Sequence, residues 1–423
     1  MKVISAHKEG YKETKLGLIP EEWKIAKLGE LYHFKNGLNK GKEFFGYGTP
    51  IINYMDVFNN LALNKSNIKG KVSLNKNEIA RFEAKKGDVF FTRTSETVNE
   101  IAFSSVLEDD IENCVFSGFV LRARPIGNQV DINFAKYCFS TPIARKEIVR
   151  KSTFTTRALT NGRFLSEVNL LLPPIPEQQK IAKILNTWDV AIKKQEELVA
   201  AKETLKKGLM QVLLTGKIRF KGFDGEWEEV RLGKIAEVDK NNLKSNTDPK
   251  YSFKYISLSD VVLGEINPNL RRYKFYEAPS RARRVVNINS VIMATVRPNL
   301  QAFAIIKDDA RDLIASTGFA VIDCLEDIIP NFLIQYLFSR QITNQIQALI
   351  VGTNYPAINS ADVKKLRIKL PSIKEQKKIA SVLVYADKEL KFLKQELIQL
   401  QDQKRALMQR LLTGEVRVKT KKL

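Results

Sequence analysis

The sequence predicts an α+β fold: two mixed α/β globular domains separated by two long antiparallel coiled-coil helices, the whole arranged as an internal pseudo-twofold duplication. Three observations carry this reading. The stretch from Leu172 to Gly216 recurs from Leu370 to Gly414 without insertion or deletion, each copy opening on Leu-Pro and Glu-Gln and closing on Leu-Leu-Thr-Gly. Both copies space apolar residues at alternating steps of four and three, the pattern of a coiled-coil seam. The segments before and between the copies break instead into short β-rich runs separated by turn residues.

In chain order, residues 1–171 form the first globular domain. Strand-like runs at Gly87–Thr92 and Phe116–Leu121 alternate with turn signals at Gly46-Tyr-Gly-Thr-Pro50 and Pro125-Ile-Gly-Asn128. The spacing of Phe134, Tyr137, Cys138, Ile143 and Ile148 predicts one helix over about 132–150.

Residues 172–216 are the first long helix. Its seam is Ile181, Leu185, Trp188, Ile192, Val199, Leu209 and Leu213, with Gln195, Lys202 and Lys206 as polar interruptions. A second apolar row at Ile184, Leu198, Leu205 and Val212 widens the stripe, which suits a further partner. Residues 217–369 repeat the globular plan. Trp23 precedes Leu28-Gly29 as Trp227 precedes Leu232-Gly233, and Ser117-Gly-Phe119 is answered by Thr317-Gly-Phe319.

Residues 370–423 are the second long helix and a basic tail. Its seam runs through Ile379, Leu383, Ala386, Leu390, Leu393, Leu397, Leu400, Leu407 and Leu411, interrupted by Lys404. Ser372 with Glu375 reads as a capping box, and Gly216 and Gly414 stand where a helix ends in a left-handed residue. Helices of this length with polar outer faces need each other. An antiparallel pair acting as a strut is the expectation, against the plainer alternative that each helix packs only on its own domain.

Composition narrows the function. Across 423 residues, 69 Lys and Arg against 47 Asp and Glu leave a formal charge of +22, which calls for an anionic partner, nucleic acid first. Three widely spaced cysteines without a Cys-x-x-Cys, and only two histidines, argue against a metal centre and fit a reducing, cytoplasmic setting. No apolar run suits a membrane span.

No catalytic constellation is legible. Gly37-Leu-Asn-Lys-Gly41-Lys42 is one residue short of a phosphate-binding loop and lacks the Ser/Thr that would hold magnesium. The expectation is therefore a chain with no catalytic residues, no metal and no cofactor of its own.

What remains is basic residues among aromatics and turns. Arg271, Arg272 and Lys274 interleave with Tyr273, Phe275 and Tyr276, and Arg281, Arg283 and Arg284 follow closely. In the first domain Lys35, Lys40 and Lys42 lie in Gly/Asn-rich loops, and Arg93, Arg157 and Arg163 lie near predicted strand ends. Arg297, Asn299, Asn354 and Tyr355 complete the candidate set. Guanidinium forks suit phosphate or the guanine major-groove edge, and Asn suits adenine. A solvated basic face, and Asn as an ordinary turn residue, are the plain alternatives. Two basic domains on one strut would read a split double-stranded DNA site whose halves differ, with uncontacted base pairs between them.

Two diverged domains, each followed by Leu-Pro-x-Ile-x-Glu-Gln-x-x-Ile-Ala and a long helix ending Leu-Leu-Thr-Gly, closely resemble the specificity subunit of type I restriction-modification systems. Pro173, Glu177, Gln178, Ile181 and Leu213–Gly216 carry the resemblance, and Pro371, Glu375, Gln376, Ile379 and Leu411–Gly414 repeat it. Ile19-Pro-Glu-Glu-Trp23 and the loops Thr155–Leu159 and Gly352–Ile358 look like that family's target-recognition domains.

The resemblance implies a non-catalytic subunit that docks two modification (methyltransferase) subunits, which use S-adenosylmethionine on adenine N6. It also implies restriction subunits, which use ATP and Mg to translocate and cut DNA. A stand-alone coiled-coil DNA-binding protein is the alternative. Ala386 stands where the first helix has Trp188, so contacts to the two modification subunits need not be equivalent.

Overall fold

The computed structural model describes residues 9–307, 311–350 and 356–419. Two compact units result: residues 1–194 with 397–423, and residues 195–396. Each unit therefore contains one globular domain, half of the first long helix (Ile175–Leu213) and half of the second (Ile373–Leu412).

In the first unit a five-stranded sheet has the order Tyr32–Asn36, Val120–Pro125, Val89–Thr92, Ser104–Leu107, Ala62–Leu63. All pairings are antiparallel except the last. The central run Val89–Thr92 is buried at all four positions, as a strand covered on both faces requires. A three-stranded sheet, Val115–Phe116, Phe45–Ile52 and Lys71–Val72, packs its own small core around Leu38, Ile51, Val72 and Val115.

The second unit repeats the larger sheet with four strands, Ala236–Val238, Phe319–Cys324, Val291–Ala294 and Phe303–Ile305. Its second sheet has the order Arg272–Lys274, Ser252–Ile256, Leu313–Ser316, Ala282–Val285.

Three expectations are corrected. The run Phe116–Leu121 is not one strand: Val115–Phe116 and Val120–Pro125 belong to different sheets, parted at Ser117-Gly-Phe119. The helix over 132–150 is two helices, Ile132–Cys138 and Pro142–Lys151. The Thr141 hydroxyl caps the second by accepting from Ala144 N, and Pro142, lacking an N–H, starts a helix rather than continuing one.

The third correction concerns register. Tyr32 faces Pro125 and Ala236 faces Cys324 across the equivalent strand pairs, so Phe319 corresponds to Val120 and not to Phe119. Phe319 is accordingly buried, whereas Phe119 is 67% exposed.

The repeated helix motif does its work inside each unit. In the first, the carboxylate of Glu177, only 3% exposed, accepts from Trp23 Nε1 at 2.9 Å and from Arg417 Nε and Nη2 at 2.7 and 2.9 Å. In the second, Glu375, 1% exposed, accepts from Trp227 Nε1 at 3.1 Å and Arg219 Nε and Nη2 at 2.9 and 2.8 Å. The Ser372 hydroxyl accepts from Glu375 N at 3.4 Å, but Glu375 is engaged by Arg219 and Trp227, so the reciprocal half of the predicted capping box is not made.

The neighbouring glutamine is fully buried in both copies. Gln178 Nε2 donates to the Gln129 and Pro173 carbonyls while its Oε1 accepts from Asp131 N. Gln376 does the same with Asp327, Pro371 and Ile329 N. Gly216 and Gly414 end the helices with φ of 71° and 75°, as read from the sequence.

The helices run antiparallel within each unit. In the first, Ile181 and Leu185 share a core with Leu411 and Leu412, and Lys404 Nζ pairs with Asp189. In the second, Leu213 and Leu214 share a core with Ile379 and Leu383. There Lys206 pairs with Asp387, Lys202 with Glu389 at 2.6 Å, and Glu203 with Lys394 at 2.6 Å. Gln195 Nε2 donates to Leu393 O and Glu396. The polar interruptions in the seam are thus interhelical ion pairs and hydrogen bonds, which fix register at the expense of some apolar burial.

Removing Arg219 leaves the buried Glu375 carboxylate with the indole as its remaining donor. Arg219→Ala is expected to lower the unfolding free energy, because a buried carboxylate that loses its charged donor is left uncompensated. Denaturant titration of the intact chain checks this.

Candidate nucleic-acid interface

In the first unit, Gly37 and Leu38 are threaded against Ser117 and Gly118. Leu38 N donates to Phe116 O and Gly118 N to Leu38 O, at 2.9 and 2.7 Å. A Cβ on Gly37 would sit 2.1 Å from the Ser117 carbonyl oxygen, so this glycine serves close backbone approach.

The following loop presents Lys42 to solvent with the aromatic rings of Phe45 and Tyr47, 37% and 56% exposed. Lys40 is turned inward: its ammonium pairs with Glu78 at 2.7 Å and lies 4.5 Å from the Phe44 ring centroid. That ammonium, with the Asn75 backbone N–H, holds the Glu78 carboxyl below the usual carboxylate range.

Arg93, Phe119 and the hairpin Thr153–Leu159 come together. Arg93 N donates to Phe119 O, Arg93 Nη1 to Gly118 O at 2.9 Å, and Thr160 N to Arg93 O. The hairpin pairs with Thr94–Ser95. It exposes Phe154, Leu159 and Arg157, whose guanidinium lies 3.5 Å from Glu96 on an open surface. Arg163 is exposed on the short helix Gly162–Ser166, apart from this cluster. Lys35 Nζ donates to the Arg81 carbonyl at 2.6 Å, and burial together with Arg122, Arg81 and Arg124 pushes its pKa down.

In the second unit the basic residues flank the sheet whose edge strands are Arg272–Lys274 and Ala282–Val285. Arg271 stacks over Tyr273 at 4.8 Å, Arg272 approaches Asp312 at 3.4 Å, and Lys274 and Arg281 are exposed. From the opposite edge Arg283 lies 4.7 Å over the Phe275 ring. Arg284 is committed internally, to Asp239 at 2.9 Å and Asn242 Oδ1 at 3.0 Å.

Arg297 and Gln301 hold left-handed φ of 50° and 51° on either side of Pro298–Leu300, and present Asn299 and Leu300 to solvent. Non-glycine residues rarely adopt this conformation, and loops that retain it are commonly functional. Asn354 and Tyr355 lie outside the described residues.

The helix residues divide by burial. Ile181, Leu185, Leu213, Ile379, Leu383, Leu390, Leu393 and Leu411 are buried; Trp188, Ile192, Leu209, Leu397, Leu400 and Leu407 are half-buried. Leu198 and Leu205 are exposed by 40% and 53%, and Tyr385 and Phe392 on the second helix by 73% and 64%.

Sequence reasoning placed Tyr276 among the cations of the second domain but missed Tyr47, Phe119 and Leu300 as surface groups. The available signal was an aromatic or large apolar residue set among glycines, prolines and cations, a setting that builds no core face. Among the described residues no group of three or more His, Cys, Asp or Glu is placed to hold a metal, and no helix is long and apolar enough to cross a membrane.

A doubled α+β chain with basic, aromatic-studded loops on each domain is the class of protein that this fold defines. The sequence profile of the type I restriction modification DNA specificity domain matches residues 20–201 and again 224–402. The chain belongs to that family.

Among relatives, a Methanocaldococcus jannaschii protein provisionally assigned as the MjaX type I restriction enzyme specificity subunit is 26% identical over 434 aligned positions, covering 97% of this chain and 98% of that one. The MjaVIII specificity subunit of the same organism is 23% identical, covering 97% of each. The crystal structure of a type I restriction-modification S subunit from M. genitalium is similar in fold. Its TM-score is 0.55 at 14% identity, over 92% of this chain and 96% of that one.

Arg284→Ala strands Asp239, whose side chain is 7% exposed, without its ion-pair partner. A loss of about 2–3 kcal/mol in unfolding free energy is expected. Arg283→Ala, which removes a cation resting on an aromatic face, is expected to cost under about 1 kcal/mol. Thermal and denaturant melts of the two variants separate these roles.

Proposed function

We propose that the chain is the DNA-specificity subunit of a type I restriction-modification complex. Each globular domain reads one part of a bipartite, asymmetric double-stranded DNA site, and the base pairs between the two parts are left uncontacted. The observation that carries this reading is the contrast between frame and face. The Glu-Gln helix entry and its partners are repeated atom for atom, while the exposed loops share almost nothing, Phe119 standing where the second domain has Gly318. A conserved frame beneath diverged cationic and aromatic loops is what two different base sequences would select.

The chain performs no chemistry in this reading and works in the cytoplasm. Two modification subunits bring S-adenosylmethionine and methylate adenine, and restriction subunits bring ATP and Mg-dependent translocation and cutting. The exposed Leu198, Leu205, Tyr385 and Phe392 on the long helices support a docking role for those helices, since isolated charged helices seldom carry so much bare apolar surface.

Mapping methylated adenines in the host's DNA with and without this gene tests the reading. A split, asymmetric motif that loses methylation on deletion supports it; an unchanged methylation pattern refutes it. Within the complex, Arg283→Ala is expected to weaken binding through the half-site read by the second domain alone. A base contact would cost about 1–3 kcal/mol at one position, and a phosphate contact would lower the salt slope by about one. Titrations on duplexes altered in one half-site at a time check this.

A further inference from the structure

The paired strands Tyr32–Asn36 and Val120–Pro125 set cations opposite one another. Lys35 faces Arg122. Like charges in directly opposed positions destabilise a sheet, so this arrangement needs compensation.

Only part of that compensation is internal. Asp88, 1% exposed, takes Arg124 in a two-pronged pair at 2.8 and 2.7 Å. Arg122 is 8% exposed; its Nη1 donates to Glu83 O at 2.6 Å, but its Nε has no hydrogen-bond partner and lies 3.9 Å from Asp88. The Glu83 carboxylate is drawn to Lys85 at 3.1 Å. Lys35 and Arg81 have only carbonyl and ring contacts, and among the described residues no carboxylate lies within ion-pair distance of either. The depressed pKa of Lys35, caused by burial and then by Arg122, Arg81 and Arg124, fits an uncompensated positive field.

The equivalent positions of the second domain reverse the sign. Because Ala236 faces Cys324 as Tyr32 faces Pro125, Lys35 corresponds to Asp239, His33 to Glu237, Arg124 to Asp323 and Arg122 to Val321. Ser290 replaces Asp88 and donates to Asp323, and Asp239 is neutralised by Arg284. The frame thus tolerates either charge, and the cations of the first domain are not demanded by the fold.

We propose that Lys35 and Arg81, backed by the buried charge of Arg122, form a phosphate grip on the DNA backbone beside the half-site read by the first domain, with no counterpart in the second. This rests on the DNA-specificity reading above. Position favours the backbone as occupant. Arg122, on the strand Val120–Pro125, is three residues from the exposed Phe119 in the turn before it, so the two are at most about 10 Å apart, and the major groove that a reading side chain enters is about 12 Å wide. A grip on one side makes the two half-sites unequal: the first contributes more salt-sensitive, sequence-independent affinity than the second.

The test uses the full chain in complex with its modification subunits. Binding is measured across a salt series on two duplexes, one with the motif mapped in the host and one with that motif scrambled. Arg81→Gln and Lys35→Gln, alone and together, are compared with wild type after melts show that the fold is kept. Arg81→Gln alters an exposed side chain and serves where Lys35→Gln melts early. The expected result is a slope of log affinity against log salt smaller by about one for each substitution, equally on both duplexes, with the preference for the motif unchanged. An unchanged slope in a wild-type complex that prefers its motif overturns the grip alone. A wild-type complex that shows no preference overturns the specificity reading, and the grip with it.

Discussion

The rest of the structure depends on one buried carboxylate, present twice. Glu177 and Glu375 each sit at the start of a long helix, almost without solvent, and each binds an indole N–H from the opening of its domain and a guanidinium from beyond a Leu-Leu-Thr-Gly helix end. A carboxylate removed from water is costly unless its lone pairs are filled by good donors, and breaking such a set is costlier than never having built it. The site therefore pins three remote parts of the chain together: the Trp segment, the helix start and the segment after the other helix. The adjacent buried glutamines tie the same helix starts to the loops before the helices Ile132–Cys138 and Pro330–Leu337.

The helices use ionic register markers in the same manner. Asp189 with Lys404 and Asp387 with Lys206 are copies of a single interaction, separated by the interval that separates Leu172 from Leu370. Each aspartate also accepts from its own globular domain, Asp189 from the Tyr137 hydroxyl and Asp387 from Gln335 Nε2, both at 2.6 Å. A sliding helix would break both links at once. The frame is held by polar contacts with strict geometry, and this leaves the exposed loops free to vary without loss of fold.

The legibility of the sequence follows from this division. Helix limits were readable because Gly216 and Gly414 need φ > 0 and because an ungapped repeat fixes register. The Glu-Gln pair was readable as a motif but not as a mechanism, since its partners Trp23, Arg417, Trp227 and Arg219 lie far off in sequence. Ser117-Gly-Phe119 and Thr317-Gly-Phe319 look alike in letters yet sit one residue apart in register, which only the strand pairing reveals.

Basic residues were readable as a set but not individually. Lys40 and Arg284 have acquired carboxylate partners through folding, while Arg81 and Arg122, inconspicuous in the sequence, were brought beside Lys35 by a helix end and a strand.

The central claim is that recognition resides in the diverged domains while the duplicated frame is indifferent to which domain it carries. Replacing residues 228–370 with residues 24–172 retains Trp227, Arg219 and Glu375, and gives Gln376 and Asp387 the first domain's counterparts of their partners, Gln129, Asp131 and Tyr137. Methylated-adenine mapping in cells carrying that chain should give a motif whose two parts both have the first domain's sequence. Persistence of the original asymmetric motif would contradict the account.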